Sequence, residues 1–143
     1  MILLDVNVLV TTFRVDVHRH AEVIGWLREA LESSEIIGVP DTAITSFLRL
    51  VTNHRVFLEP SPTATAVEFV EALLSRPLAS VVTAGPRHWP RLRELVLGLS
   101  LRANDLPDAH LAALALENGG VLATLDRGLA RFPGLRVIDP TAR

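Results

Sequence analysis

The first ten residues, Met1-Ile-Leu-Leu-Asp-Val-Asn-Val-Leu-Val10, constrain this chain more than any other stretch. Ile2–Leu4 and the segment Val6–Val10 make an almost continuous apolar run, with Asp5 set inside it. Such a run is the pattern of a strand buried on both faces, as in a parallel sheet. It reads as a strand ending near Asp5, then a helix or turn. A carboxylate in that setting is costly to desolvate unless a cation or several hydrogen bonds meet it. Asp5 therefore reads either as a metal ligand or as a cap on the following helix.

The rest of the chain alternates. Val23, Ile24, Leu27 and Leu31 mark a helix over about 21–32, and Ile36–Val39 is a short strand stopped by Pro40. Ile44, Phe47, Leu48 and Val51 mark a helix from Thr42 to about Val51. Ser61 reads as a cap and Pro62 as the first position of a third helix, which Pro77 ends. Ser80–Thr83 suggests a strand, and Leu92, Leu95, Val96 and Leu99 a helix from Trp89. Asn104-Asp105-Leu106-Pro107-Asp108 opens another helix, which Asn118-Gly119 closes. Val121–Thr124 and Leu135–Ile138 read as strands around an Asp126-Arg127-Gly128 turn. No repeat or linker interrupts the pattern, so residues 1–143 are expected to form a single domain. The fold class is α/β, a mostly parallel sheet with helices on both faces. In such folds chemistry gathers at the carboxyl ends of the strands, where Asp5 and Asp126 fall.

Composition narrows the chemistry. The chain contains no lysine, so its 14 basic residues are all arginine, and it has no cysteine. P-loop lysines, Schiff bases, disulfides and zinc–thiolate sites are excluded. Arginine still suits phosphate, because its planar fork donates two hydrogen bonds at once. A net charge of −2 excludes indiscriminate attraction to nucleic acid and leaves a local arginine patch as the means of contact. With 49% hydrophobic residues, a mean hydropathy of +0.34 and no apolar run near the roughly 20 residues of a membrane span, the expectation is a well-filled core and no membrane. The start carries no basic region or small-residue cleavage site, so a cytoplasmic protein is expected.

Two more aspartates carry double readings. Asp108 stands in the first turn of its helix, where it complements the helix dipole, yet Asp105 already supplies a cap. Asp126 suits a tight turn, with the Thr124 hydroxyl two residues away. The His18/His20 pair and Arg87, Arg91 and Arg93 read as solvated, and His110 as a packing or hydrogen-bonding residue. No single carboxylate decides among these readings.

The opening Leu-Leu-Asp-Val-Asn-Val-Leu-Val resembles the start of PIN domains, in particular of VapC toxins from toxin–antitoxin modules. Phe47-Leu-Arg-Leu-Val-Thr-Asn-His-Arg-Val-Phe57, Leu106-Pro-Asp-Ala-His-Leu-Ala-Ala-Leu-Ala115, Gly120-Val-Leu-Ala-Thr-Leu-Asp126 and Arg131-Phe-Pro-Gly-Leu-Arg136 are similar to later segments of the same toxins, in the same order. The resemblance implies a three-layer PIN-like sandwich and an acidic pocket holding Mg²⁺ or Mn²⁺. It places catalysis and metal ligation on Asp5, Asp108 and Asp126, with Asn7 and Thr124 in support. It further implies an RNA substrate, a VapB-like antitoxin and a homodimer, with apolar faces around Phe47, Val51, Phe57 and Phe69 as the groove or dimer patch. Hard carboxylate oxygens suit such an ion.

The sequence departs from the family twice. PIN domains usually carry a glutamate early in the second of these helices, where this chain has Ile44, Thr45 and Ser46. Asp41 is the candidate substitute ligand, or Thr45 or Ser46 holds a metal-bound water. Gly128-Leu129 stands where many relatives have an acid and an aromatic. The missing glutamate keeps open a PIN fold that binds RNA or protein without cutting. A haloacid-dehalogenase-type phosphatase would need an aspartate at Asn7 and a lysine, and a receiver-like domain an acidic pair and a lysine.

Overall fold

In the computed structural model, which describes Met1–Ala142, β1 (Ile2–Leu4) is the central strand of a five-stranded sheet. The apolar run does end at Asp5, and the chain turns at once into α1 (Val6–Phe13). There follow α2 (His20–Glu32), β2 (Ile37–Pro40), α3 (Asp41–Val51), α4 (Thr63–Leu74) and β3 (Ala79–Val82). The chain continues through α5 (His88–Gly98), α6 (Asp105–Glu117), β4 (Val121–Ala123), a 3₁₀ helix (Arg127–Arg131) and β5 (Arg136–Ile138). The strand order is β3-β2-β1-β4-β5 and every pairing is parallel.

Alternation along β1 divides the core between the two faces. Ile2 and Leu4 pack with Ile37, Val39 and Ala123 against α1, α2, α3 and α4. Leu3 faces the other way, with Val82 and Leu122, against α5, α6 and the 3₁₀ helix. Helices thus cover both faces, and the three layers expected from the alternating pattern are present. The register Leu3↔Leu122 and Leu4↔Ala123 brings the carboxyl ends of β1 and β4 side by side. Asp5 and Thr124 follow those strands directly, and the Asp5 amide donates to the Ala123 carbonyl at 3.0 Å. At the far end of α6, Gly119 adopts φ +59°, where a side chain would be strained, and the Gly120 amide closes the helix on Ala115.

Three expectations are corrected. Ser61 does not cap α4; its hydroxyl accepts a hydrogen bond from Arg14, and the helix begins at Thr63, after Pro62. Pro62 is held at φ −59° with ψ +140°, an extended ψ that places it outside the helix. Phe47 and Val51 form no surface groove, because both are fully buried. Phe47 packs in a triad with the rings of Phe13 and Phe69, every pair of centroids 5.3 Å apart. Finally, the Asp126-Arg127-Gly128 turn extends into a full 3₁₀ helix.

Candidate active site

Asp5 is 8% exposed, and all its hydrogen bonds come from groups within or beside the first βα junction. The Val6 amide donates to Oδ1 at 2.6 Å, which caps α1. On Oδ2 the Thr124 hydroxyl donates at 2.6 Å and the Asn7 side-chain amide at 2.9 Å. The cap and the buried acid of the two sequence readings are therefore the same residue. Burial still pushes the Asp5 carboxyl above the usual range. The Thr124 and Val6 hydrogen bonds oppose that rise, while the negative charges of Asp108 and Asp126 add to it.

Asn7 and Thr124 lock the two strand ends together. The Asn7 Nδ2 also donates to the Thr124 hydroxyl, and its Oδ1 accepts from the Leu125 amide. The Asp126 amide donates to Thr124 Oγ1. Asp126 then caps the 3₁₀ helix through the Gly128 amide at 2.8 Å. Both supporting residues inferred from the sequence thus touch Asp5 directly.

Asp108 approaches from the N-terminal turn of α6. It lines a cavity of about 280 Å³ shared with Asp5, Val6, Thr42, Ala43, Ser46, Pro107, His110 and Leu111. Its Oδ2 accepts from Arg131 at 3.2 Å, and the same guanidinium lies 3.7 Å from Asp105. Among the described residues no three acidic or imidazole side chains already stand as a closed metal-ligand cluster. Asp108 instead bonds Arg131, and Asp126 accepts from the Gly128 amide. The donor set nonetheless fits a hard divalent cation. Buried Asp5 has two further carboxylates nearby, and among the described residues no basic side chain bonds it, a setting suited to a hard cation.

Other residues singled out in the sequence lie elsewhere. His18 is exposed and His20 binds the Thr11 carbonyl, so the pair forms no ligand set. Arg87, Arg91 and Arg93 are exposed, as expected of a solvated face. His110 does pack, its ring 4.4 Å from that of buried His88, whose Nε2 meets the His110 carbonyl. Burial, with His88 in second place, lowers the His110 pKa against the pull of Asp41, which favours the neutral imidazole in this cavity.

The PIN domain model matches residues 2–135. The chain belongs to the PIN-domain family. Ribonuclease VapC43 of Mycobacterium tuberculosis is 44% identical over 140 residues, covering 98% of this chain and 95% of that protein. Ribonuclease VapC25 of the same organism is 41% identical over 140 residues, covering 98% of this chain and 99% of that one. The solved VapBC2 of Rickettsia felis, bound to a DNA fragment from its promoter, superposes with a TM-score of 0.72 at 16% identity. That match covers 96% of this chain and 98% of the other, and its likeness is one of fold. Membership in this family replaces the phosphatase and receiver readings.

Within the PIN frame the two departures acquire positions. Of the α3 residues considered, Ser46 lines the cavity with Asp5 and Asp108. Thr45 is exposed and its hydroxyl bonds back to the Asp41 carbonyl, while the exposed Asp41 carboxylate binds the Thr42 amide. Gly128 is crowded: a Cβ there would lie 3.0 Å from Asp126 Oδ1 and 3.2 Å from Arg131 Nη1. The absence of a side chain lets both approach its backbone. Arg131, at the start of Arg131-Phe-Pro-Gly-Leu-Arg136, is a site neighbour that sequence reasoning missed. No local pattern in the sequence marks it, because its partner Asp108 lies 23 residues away.

Proposed function

We propose that this PIN-domain chain is a metal-dependent endoribonuclease, the toxin of a toxin–antitoxin pair, cutting RNA phosphodiesters with Mg²⁺ or Mn²⁺ held by Asp5, Asp108 and Asp126. The observation that carries this reading is the buried Asp5 carboxyl group at the paired ends of β1 and β4, lining one cavity with Asp108. The ion, when bound, lowers the pKa of a coordinated water and neutralises charge on the scissile phosphate. The chain's own residues supply position. Asn7 and Thr124 fix the Asp5 oxygens, the 3₁₀ helix presents Asp126, and the first turn of α6 presents Asp108. Ser46 offers a hydroxyl where a fourth acid is usual, which supports water-mediated completion of the coordination over ligation by Asp41. Cleavage of single-stranded RNA that requires Mn²⁺ or Mg²⁺, stops with chelator and is lost in Asp5→Asn tests the reading. The binding-module alternative requires RNA retention without metal-dependent cutting.

A VapB-like antitoxin is the partner this reading requires, in a cytoplasmic setting. Support comes from an apolar cavity of about 340 Å³ between α2 and α4, lined by Ile24, Leu27, Leu31, Phe69 and Leu73. The buried Thr12 hydroxyl, which lacks a hydrogen-bond partner among the described residues, belongs to the same lining. An amphipathic helix suits such a groove. The homodimer moves from the Phe47 region to α5, where Trp89 and Leu97 are each 65% exposed beside Leu106. Co-expression with the neighbouring reading frame tests the first, and light scattering of Leu97→Glu the second.

A further inference from the structure

Arg131 is the one basic side chain, among the described residues, bonded to any of the three carboxylates Asp5, Asp108 and Asp126. Its guanidinium is held on one side and meets the carboxylates on the other. The 3₁₀ helix that carries it is anchored by buried Leu129 and followed by buried Phe132, and the guanidinium carbon lies 4.6 Å from the Phe132 ring centroid. Nη1 donates to the Gly128 carbonyl at 2.8 Å, while Nη2 reaches Asp108 and Asp105 from a side chain 38% exposed.

A guanidinium and a divalent ion on the same carboxylate repel each other. If Asp108 ligates the ion, Arg131 must give up some of its hold on Oδ2. The nearest suitable anion is then the phosphodiester that the ion attracts, and the guanidinium fork matches two phosphate oxygens. We propose that Arg131 exchanges partners, holding Asp108 before the ion binds and the RNA phosphate beside the cut afterwards. This rests on the metal reading above. It makes Arg131 a competitor of the metal and a phosphate-binding residue at once, so removing it should move the two affinities in opposite directions.

The test is Mn²⁺ affinity, read by electron paramagnetic resonance, in the parent and in Arg131→Gln, Arg131→Lys and Asp108→Asn, with thermal melting to confirm folding. Arg131→Gln is expected to bind Mn²⁺ about fivefold to tenfold tighter, since the charge that opposed it is gone. The same change in an Asp126→Asn background, which does not cut, should weaken binding of a labelled single-stranded RNA at saturating Mn²⁺ by about tenfold. Arg131→Lys keeps the charge and loses the fork, so its Mn²⁺ affinity should stay near the parent's while RNA binding still falls. Unchanged or weaker Mn²⁺ binding in folded Arg131→Gln overturns the exchange while leaving the metal site standing, provided that Asp108→Asn loses the ion. Undiminished Mn²⁺ binding in Asp108→Asn overturns both.

Discussion

The two ends of α6 carry carboxylates in opposite circumstances. At the C-terminal end, Glu117 is fully employed. Oε2 accepts from the Gly85 amide at 3.0 Å and Oε1 from the Arg87 amide at 3.2 Å, pinning the loop between β3 and α5. The Gly85 backbone comes so close that a Cβ there would collide with the Glu117 carboxylate. At the N-terminal end, Asp108 meets one part-exposed arginine and faces Asp5, whose own carboxyl is raised by burial and by its acidic neighbours. One acid is matched to backbone donors and closes a structural contact. The other carboxylates also accept hydrogen bonds, but Asp5 does so while buried and beside two like charges, an arrangement whose electrostatic cost a cation can relieve.

The contrast breaks most visibly at Asp5. Asp5→Asn should cost several kcal/mol of transition-state stabilisation, roughly a thousandfold or more in RNA cleavage measured at fixed Mn²⁺. Removing the orienting groups should cost less. Asn7→Ala or Thr124→Val is expected to lower cleavage by about 10-fold to 100-fold, the usual cost of losing a partner of a metal ligand. Rate against Mn²⁺ concentration should show much of that loss recovered at high metal.

At the other end of the helix, the effect should fall on stability alone. Glu117→Ala is expected to destabilise the fold by about 1–3 kcal/mol through its two lost charge-assisted hydrogen bonds. Urea denaturation reads that change, and cleavage per folded molecule should match the parent's. A large catalytic loss in Glu117→Ala would erase the distinction between the two ends.

Acidity sharpens the comparison more gently. Because the Asp5 pKa is raised, its proton persists above the usual carboxylate range and a cation must displace it. Mn²⁺ affinity should therefore fall on acidification, beginning at a higher pH than an ordinary carboxylate would give. In the metal-free protein, the stability that protonated Asp5 contributes is present below the ordinary carboxylate pKa and is lost as the pH rises through the raised one. The gain in melting temperature on adding Mn²⁺ should be larger at pH 7 than at pH 5.

Much of this was legible in the sequence, for local reasons. The apolar run before Asp5 read as a buried strand, and the Asn118-Gly119 pair as the end of a helix. Asp5 and Thr124 directly follow strands and Asn7 lies in the first turn of the next helix, so placing the strands placed them. The failures were tertiary. Phe47 looked like surplus apolar surface until Phe13 and Phe69 closed around it. Ser61 had the chemistry of a cap but was claimed by Arg14 from 47 residues away. Arg131 belongs to an ordinary basic scatter in the sequence, and it reaches Asp108 only because the 3₁₀ helix turns it back across 23 residues. Local pattern finds residues tied to their own element, while partners from distant segments need the fold.

The claim that three carboxylates share one ion is tested most directly by crystals of the protein soaked in Mn²⁺ and measured at a wavelength where manganese scatters anomalously. The expected map has a peak bounded by Asp5, Asp108 and Asp126, at about 2.0–2.2 Å from their oxygens, the range of hard-cation ligation for an ion of this kind. A well-ordered Mn²⁺-loaded crystal with no peak between these side chains, or with Asp108 still bonded to Arg131 and the manganese elsewhere, would contradict it.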